Sequence, residues 1–403
     1  MATHVRHPIL IGQARPNAWT FSLLYLLESV ARAALVTVLP LTAYALFRDK
    51  EAVSLAYTAV ALVSLGVSFA IPLLVRRISR RWTYTLGCAL LGTFALLLSL
   101  GAKPALLLGM LCRTTGAAML NVTLALYIMD TIGKRELTRS EPLRLAVATL
   151  AWGLVPFLGV WLMQHAGLWA PCLLSGTAAL ALATLFWTLR LREGGAIRPA
   201  PPGRRSAAPP HPLRAIRRFV AQPRLRLAWA IAFARSAFWV TFFVYIPILM
   251  VEGGLSETAG GLAVAAGNLM LLNNVVTRRL ADRLSLRLVL GAAFLGAAAL
   301  VLLVAGLSLR HPAAAGVAMV AAAFFVAMID GLGPVPFLRA VRARERAEMT
   351  TVYRTYLDAS ELLPQIAYFF LFLAFGFPGA FAALALLLAA MGALTLRYLP
   401  RGM

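Results

Sequence analysis

Acidic residues are scarce in this 403-residue chain: 15 Asp and Glu stand against 38 Lys and Arg, and only three of those cations are lysine. Charged residues of both signs make up 13% of the sequence and apolar ones 61%, which excludes an ordinary soluble domain. The three cysteines, Cys88, Cys112 and Cys172, all fall within apolar stretches. Their odd number and wide spacing exclude a disulfide framework and a thiolate metal site. His4, His7, His165, His211 and His311 form no cluster. No Gly-x-x-x-x-Gly-Lys-Ser/Thr occurs, so no ATP-binding loop is present. Without a Ser/His pair or a metal-ligand set, an intramembrane enzyme has no support, and no cofactor is expected.

What is present is length of apolar sequence. A helix needs about 20 apolar residues to cross the hydrocarbon of a bilayer. Twelve such segments occur, at 19–46, 53–75, 82–101, 104–130, 143–164, 168–189, 226–250, 258–277, 288–308, 312–337, 353–374 and 377–396. The first is too long for a cleavable signal and lacks a small-residue cleavage site, so it is expected to remain as a span. Of the thirteen intervening stretches, the odd-numbered hold 28 cations, or 30 with Arg144 and Arg226 at the adjoining segment edges, and the even-numbered hold four, Arg48, Lys50, Lys103 and Arg310. That asymmetry predicts both termini in the cytoplasm. Cations placed in loops between spans form no basic face on a soluble fold, which argues against nucleic-acid binding. The arginine-rich usage and the lack of targeting signals predict a bacterial plasma membrane, the inner one where there are two.

One long polar stretch, residues 190–226, carries ten Arg, no Lys and a series of prolines from Pro199 to Pro223. It is expected to be a flexible or partly extended linker. It divides the chain into an N-terminal six-helix bundle (1–190), a basic linker (191–225) and a C-terminal six-helix bundle (226–403). The two parts echo one another. Val75-Arg76-Arg77-Ile78-Ser79-Arg80-Arg81, then Gly87 and Gly92, correspond to Thr277-Arg278-Arg279-Leu280-Ala281-Asp282-Arg283, then Gly291 and Gly296. Arg32 and Pro40 on the first span match Arg235 and Pro247 on the seventh. An even number of spans in each part predicts parallel repeats about an axis along the membrane normal.

Twelve spans in two sets of six, a basic central linker and these loop motifs resemble the major facilitator superfamily over the whole chain. The resemblance implies an all-α polytopic fold of two pseudo-symmetric bundles, alternating access, and a small-molecule substrate. Asp282 and Arg283, with Arg287, look like the core of the family's conformational loop motif; in the first-half copy Arg80 stands where the acid is usual. Arg113-Thr114-Thr115-Gly116 looks like the Arg-x-x-Gly element of the drug–proton antiporter branch. Gly153-Leu154-Val155-Pro156-Phe157-Leu158-Gly159 resembles a degraded form of the antiporter motif, with Val155 and Val160 at usual glycine positions.

In this family the first, fourth, seventh and tenth spans line the cavity. Here they carry Arg32, Arg113, Arg235 and Asp330, one each, with Glu28 also on the first. An ionised side chain in mid-membrane costs at least ~2.5–3.5 kcal/mol and is kept for pairing or function. Glu28 and Arg32, at i,i+4, are either a self-compensated pair or a switch whose protonation releases the arginine. Arg113 either bonds backbone carbonyls or, by resemblance, assists proton coupling or holds an anion. Arg235 and Asp330 are expected to meet, as an inner gate or as a static pair. Asp358 and Glu361 lie one turn apart on the eleventh span beside Arg354, a second candidate proton site. Tyr127, Trp239, Tyr245 and Asn268 are candidate cavity-lining residues; for the seventh-span aromatics, which include Phe242 and Phe243, lipid-facing packing is the alternative.

Guanidinium suits carboxylate and phosphate, so the expected substrate is a small organic anion or zwitterion. The expected activity is secondary transport, with proton-coupled export favoured by the fourth- and fifth-span motifs. Proton-coupled uptake or uniport on the same fold is the alternative, as is a non-transporting receptor or assembly partner. The expected partners are the substrate, protons and the lipid bilayer, with a monomer as the functional unit.

Overall fold

A computed structural model describes residues 18–131, 134–189, 212–342 and 345–400. Among these residues there is no strand, and nine helical stretches are long and apolar enough to cross a membrane. Leu96, Val317 and Leu386 are each about 70% exposed, at 71%, 70% and 72%. Apolar surface of this kind is tolerated against lipid and not against water.

The first expected segment is two helices, α1 (Ala18–Ala33) and α2 (Val38–Phe47), with a turn between them. Pro40 accounts for the break, because its ring would strike the carbonyl four residues earlier and it donates no N–H. Lys50–Ser99 (α3) holds two expected spans and breaks at Ser79, whose φ of 65° and ψ of 161° are not helical. Lys103–Thr131 (α4), Lys134–Ala166 (α5) and Trp169–Thr188 (α6) follow.

The expected linker is in part a helix. Pro212–Val220 (α7) buries Ala215 and Phe219, spaced i,i+4, and exposes Arg214, Arg217 and Arg218. Phe219 packs with Leu225, Phe337 and Tyr353, and burying such a ring stabilises by roughly 1.5–3 kcal/mol. That apolar pair overrides the surrounding arginine and proline content; residues 190–211 of the linker lie outside the described residues.

Beyond it run α8 (Pro223–Glu252) and α9 (Glu257–Leu269). A 3₁₀ turn over Met270–Asn273 then separates α9 from α10 (Asn274–Arg283). The expected eighth segment is therefore not one continuous α-helix, and the loop motif sits on the helix that follows the turn. Leu286–Leu307 (α11), Pro312–Leu332 (α12) and Pro334–Ala340 (α13) come next, with Gly333 at the junction where proline clustering predicts an interruption. Arg346–Tyr398 (α14) is 53 residues long and turns at Gly376, whose φ of 61° only glycine adopts readily.

Helix α5 lies between the N-terminal helices and the C-terminal ones, packing on α1 and on α9. Glycine makes both approaches possible. A Cβ on Gly159 would sit 2.0 Å from the Ala34 carbonyl oxygen, and one on Gly153 would sit 2.5 Å from the Leu269 side chain. Of the two glycines in the degraded antiporter motif, Gly159 thus admits a neighbouring backbone and Gly153 a neighbouring leucine side chain.

Candidate functional site

Arg32 occupies the last turn of α1, where free helix carbonyls favour a cation. Its Nη1 donates to Glu28 Oε1 at 3.2 Å, one turn back, and Glu28 is 1% exposed. The guanidinium also lies over the Trp152 ring of α5, 5.7 Å from its centroid. Arg32 is therefore held by an acid and an aromatic face together.

Arg113 is set by backbone packing. Gly116, three residues on, presses α4 onto α3: its Cβ would fall 2.9 Å from the Gly87 carbonyl oxygen. This contact fixes the rotation of α4 and so the direction in which Arg113 leaves it. Arg113 lies within electrostatic range of Arg32, Tyr57 and Glu361. Glu361, on α14, is likewise within range of Arg113, Asp358 and Arg32. Glu361 is exposed, although it lies within electrostatic range of Arg32 and Arg113 from the other part of the chain. Solvent-accessible space therefore lies between the N-terminal and C-terminal helices at this level. Arg32 Nε and Arg113 Nε are buried and take no hydrogen-bond partner among the described residues. A buried donor without an acceptor costs about 1–3 kcal/mol.

The second charged group is built on α8 and α12. Arg235 Nη1 pairs with Asp330 Oδ1, and Arg235 Nη2 donates to the Tyr356 hydroxyl at 3.3 Å. Trp239, one turn along α8, donates its indole N–H to Asp330 Oδ2 at 2.7 Å. Both carboxylate oxygens are thus occupied. The guanidinium also lies 5.6 Å from the Tyr356 ring centroid. Trp239 stacks on Phe243 at 5.6 Å between centroids, and Phe243 meets Trp152 at 6.2 Å. An aromatic file of three rings therefore joins the two charged groups, from Arg32 to Asp330. Trp152 was not among the residues singled out by sequence; its only signal is an aromatic beside Gly153 in the fifth-span motif.

The other expected site residues have surroundings of their own. Tyr127 is fully buried and meets Phe186 edge-on within the N-terminal helices. Tyr245 is fully buried and donates to Gln365 Oε1; Asn268 is buried and donates to the Val264 carbonyl at 3.0 Å. Asp358 is half-buried, near Arg354 and Glu361. Arg283 is exposed at the end of α10, and the Asp282 side chain lies outside the described residues.

At one end of the molecule the two parts of the chain are joined by polar contacts. Lys50 Nζ pairs with Glu252 Oε1 at 2.8 Å, and Tyr44 donates its hydroxyl to Glu252 Oε2 at 3.3 Å. Lys50 also lies 5.1 Å from the Phe377 ring centroid, and Ser54 donates to the Gln365 carbonyl at 2.6 Å.

Ionisable and aromatic side chains drawn from helices at both ends of the chain, around solvent-accessible space in an apolar helical body, define a membrane carrier of solutes. The chain belongs to the Major Facilitator Superfamily, whose family model matches residues 21–363. No curated protein matches it in sequence. Its fold is similar to that of a peptide transporter, POT, in complex with sulfate, with a TM-score of 0.76 and 13% identity over 97% of this chain and 96% of that one. It is similar also to a D-xylose–proton symporter, with a TM-score of 0.69 and 13% identity over 95% of this chain and 97% of that one. A third is a bacterial homologue of the iron transporter ferroportin in the inward-facing state, with a TM-score of 0.71 and 16% identity over 94% and 98% of the two chains.

Proposed function

We propose that this transporter carries a small organic anion or zwitterion, coupled to protons, around a site formed by Arg32, Arg113 and Glu361. The observation that carries the reading is that two guanidiniums from the N-terminal helices lie within electrostatic range of one carboxylate from α14. A substrate acid group and an ionised Glu361 compete for the same two cations. Protonating Glu361 therefore frees the guanidiniums for the substrate, so an anion and a proton bind together and travel together. Arg32 and Arg113 are both only partly buried, which leaves side-chain surface for an anion to meet. The Lys50–Glu252 contacts form the closed end of an alternating-access cycle, with the poorly charged loops on the outside and the basic loops and termini in the cytoplasm of a bacterial cell.

Export in exchange for protons is the second reading, favoured by the Arg113–Gly116 and Gly153–Gly159 resemblances. It requires a substrate cation that takes ionised Glu361 as partner, since only then do proton and substrate exclude one another.

Reconstitution into proteoliposomes tests the proposal, using whichever organic anion stabilises the purified protein most against heat. Glu361→Gln is expected to retain exchange of substrate across the membrane but to lose accumulation driven by a pH gradient. Accumulation equal to that of the parent would refute Glu361 as the coupling site. The sign of the coupling separates symport from export by exchange.

A further inference from the structure

We infer that the substrate is an aromatic acid: an acidic group held by Arg32 and Arg113, carried on a planar ring that rests against Trp152, Phe243 and Trp239. The inference deepens the anion reading above and rests on it.

The three rings form a continuous file contributed by both parts of the chain, at centroid spacings of 6.2 Å and 5.6 Å. All three are half-buried, whereas Phe238 and Phe242 on the same helix are completely buried. Two aromatics on α8 thus show what packing alone requires, and Trp239 and Phe243 depart from it by keeping accessible surface. The file also begins and ends on charge. Arg32 lies over Trp152, and Asp330 accepts the Trp239 N–H at 2.7 Å. The second contact fixes the plane of the Trp239 ring, since rotating it would leave both an indole N–H and a carboxylate oxygen unpaired. Phe243 stacks on that fixed ring with an interplanar angle of 22°. A substrate ring would meet surfaces already oriented, so little ordering would be lost on binding.

Ring-to-ring contact discriminates a planar aromatic from a saturated ring of the same size by roughly 2–12-fold per pair. Saturated and aromatic acids of equal charge are therefore the probes. Binding to the full-length protein in nanodiscs is measured for phenylacetate, indole-3-acetate, cyclohexylacetate and the neutral phenylacetamide. The expected order places the two aromatic acids at least about fivefold tighter than cyclohexylacetate, with no binding of the amide. Trp152→Leu and, on a different helix, Phe243→Leu are each expected to bring phenylacetate down to the level of cyclohexylacetate. Arg113→Gln is expected to remove both. Equal affinity of the parent protein for phenylacetate and cyclohexylacetate would overturn the aromatic inference and leave the anion reading standing. Binding of the amide as tightly as the acids, or of none of the three acids, would overturn both.

Discussion

Lys50 and Glu252 form an ion pair of 2.8 Å that joins the start of α3 to the end of α8, 202 residues apart. Glu252 accepts from Tyr44 as well, so one carboxylate ties two N-terminal helices to one C-terminal helix. Removing it is expected to favour opening at this end. A partly exposed pair is worth about 0.2–1 kcal/mol, so Glu252→Gln should shift the balance of states by up to ~5-fold. Distances between spin labels on α2 and α8 would report the shift, and unchanged distance distributions would show that the pair is no latch.

Asp330 meets a guanidinium and an indole together. Asp330→Asn keeps an acceptor for Trp239 but leaves Arg235 without its counter-charge. Breaking such a pair from one side costs roughly 3–5 kcal/mol, much of it from the charge left behind. The double variant Arg235→Gln/Asp330→Asn should therefore unfold at a higher temperature than Asp330→Asn alone. Strictly additive losses in thermal unfolding would contradict the coupling.

Gly159 admits no side chain where it stands, because a Cβ would lie 2.0 Å from the Ala34 carbonyl oxygen. Gly159→Val is expected to force α5 away from α1 and lower stability by about 1–3 kcal/mol. Gly92→Ala, where nothing lies within 4 Å, is the control and should be neutral or slightly stabilising. Comparable melting temperatures for the two variants would argue against the close approach.

Ser79 holds φ 65° and ψ 161°, a conformation suited to glycine, at the break in α3. Ser79→Gly should relieve about 1 kcal/mol of backbone strain and raise the melting temperature. A fall in stability would indicate that the serine conformation is relaxed.

The apolar runs made the membrane class legible, because length and hydrophobicity are local properties. Breaks inside them were partly legible. The prolines after Gly333 announce theirs; the break before Pro40 was not read from the sequence, in which 19–46 reads as one span, and the 3₁₀ turn at Met270–Asn273 has no comparable signal. The Arg235–Asp330 pair could be anticipated, since each span holds one unpartnered charge. The approach of Arg113 to Glu361 could not, because it depends on how the rotation of α4, set by Gly116 against Gly87, relates to the placement of α14. Trp152 was missed for a similar reason: an aromatic on an apolar helix reveals its facing partner only once helices α5 and α8 are brought together. Within α7, the spacing of Ala215 and Phe219 was visible but outweighed by the composition around it.

The two kinds of charge pairing also differ in when they become available as the chain is made. Glu28 and Arg32 share one turn of α1, so the first helix enters the bilayer already carrying its own counter-charge. Arg113 has no acid within a turn of it, and Glu361 is synthesised 248 residues later. The fourth helix must until then bear the mid-membrane cost of ~2.5–3.5 kcal/mol, relying on its flanking apolar residues alone. Order of synthesis, as much as final geometry, therefore sets which of these arginines can be added or lost without stalling assembly: substitutions that shorten the apolar reach of α4 should reduce the yield of inserted protein more than equivalent changes in α1.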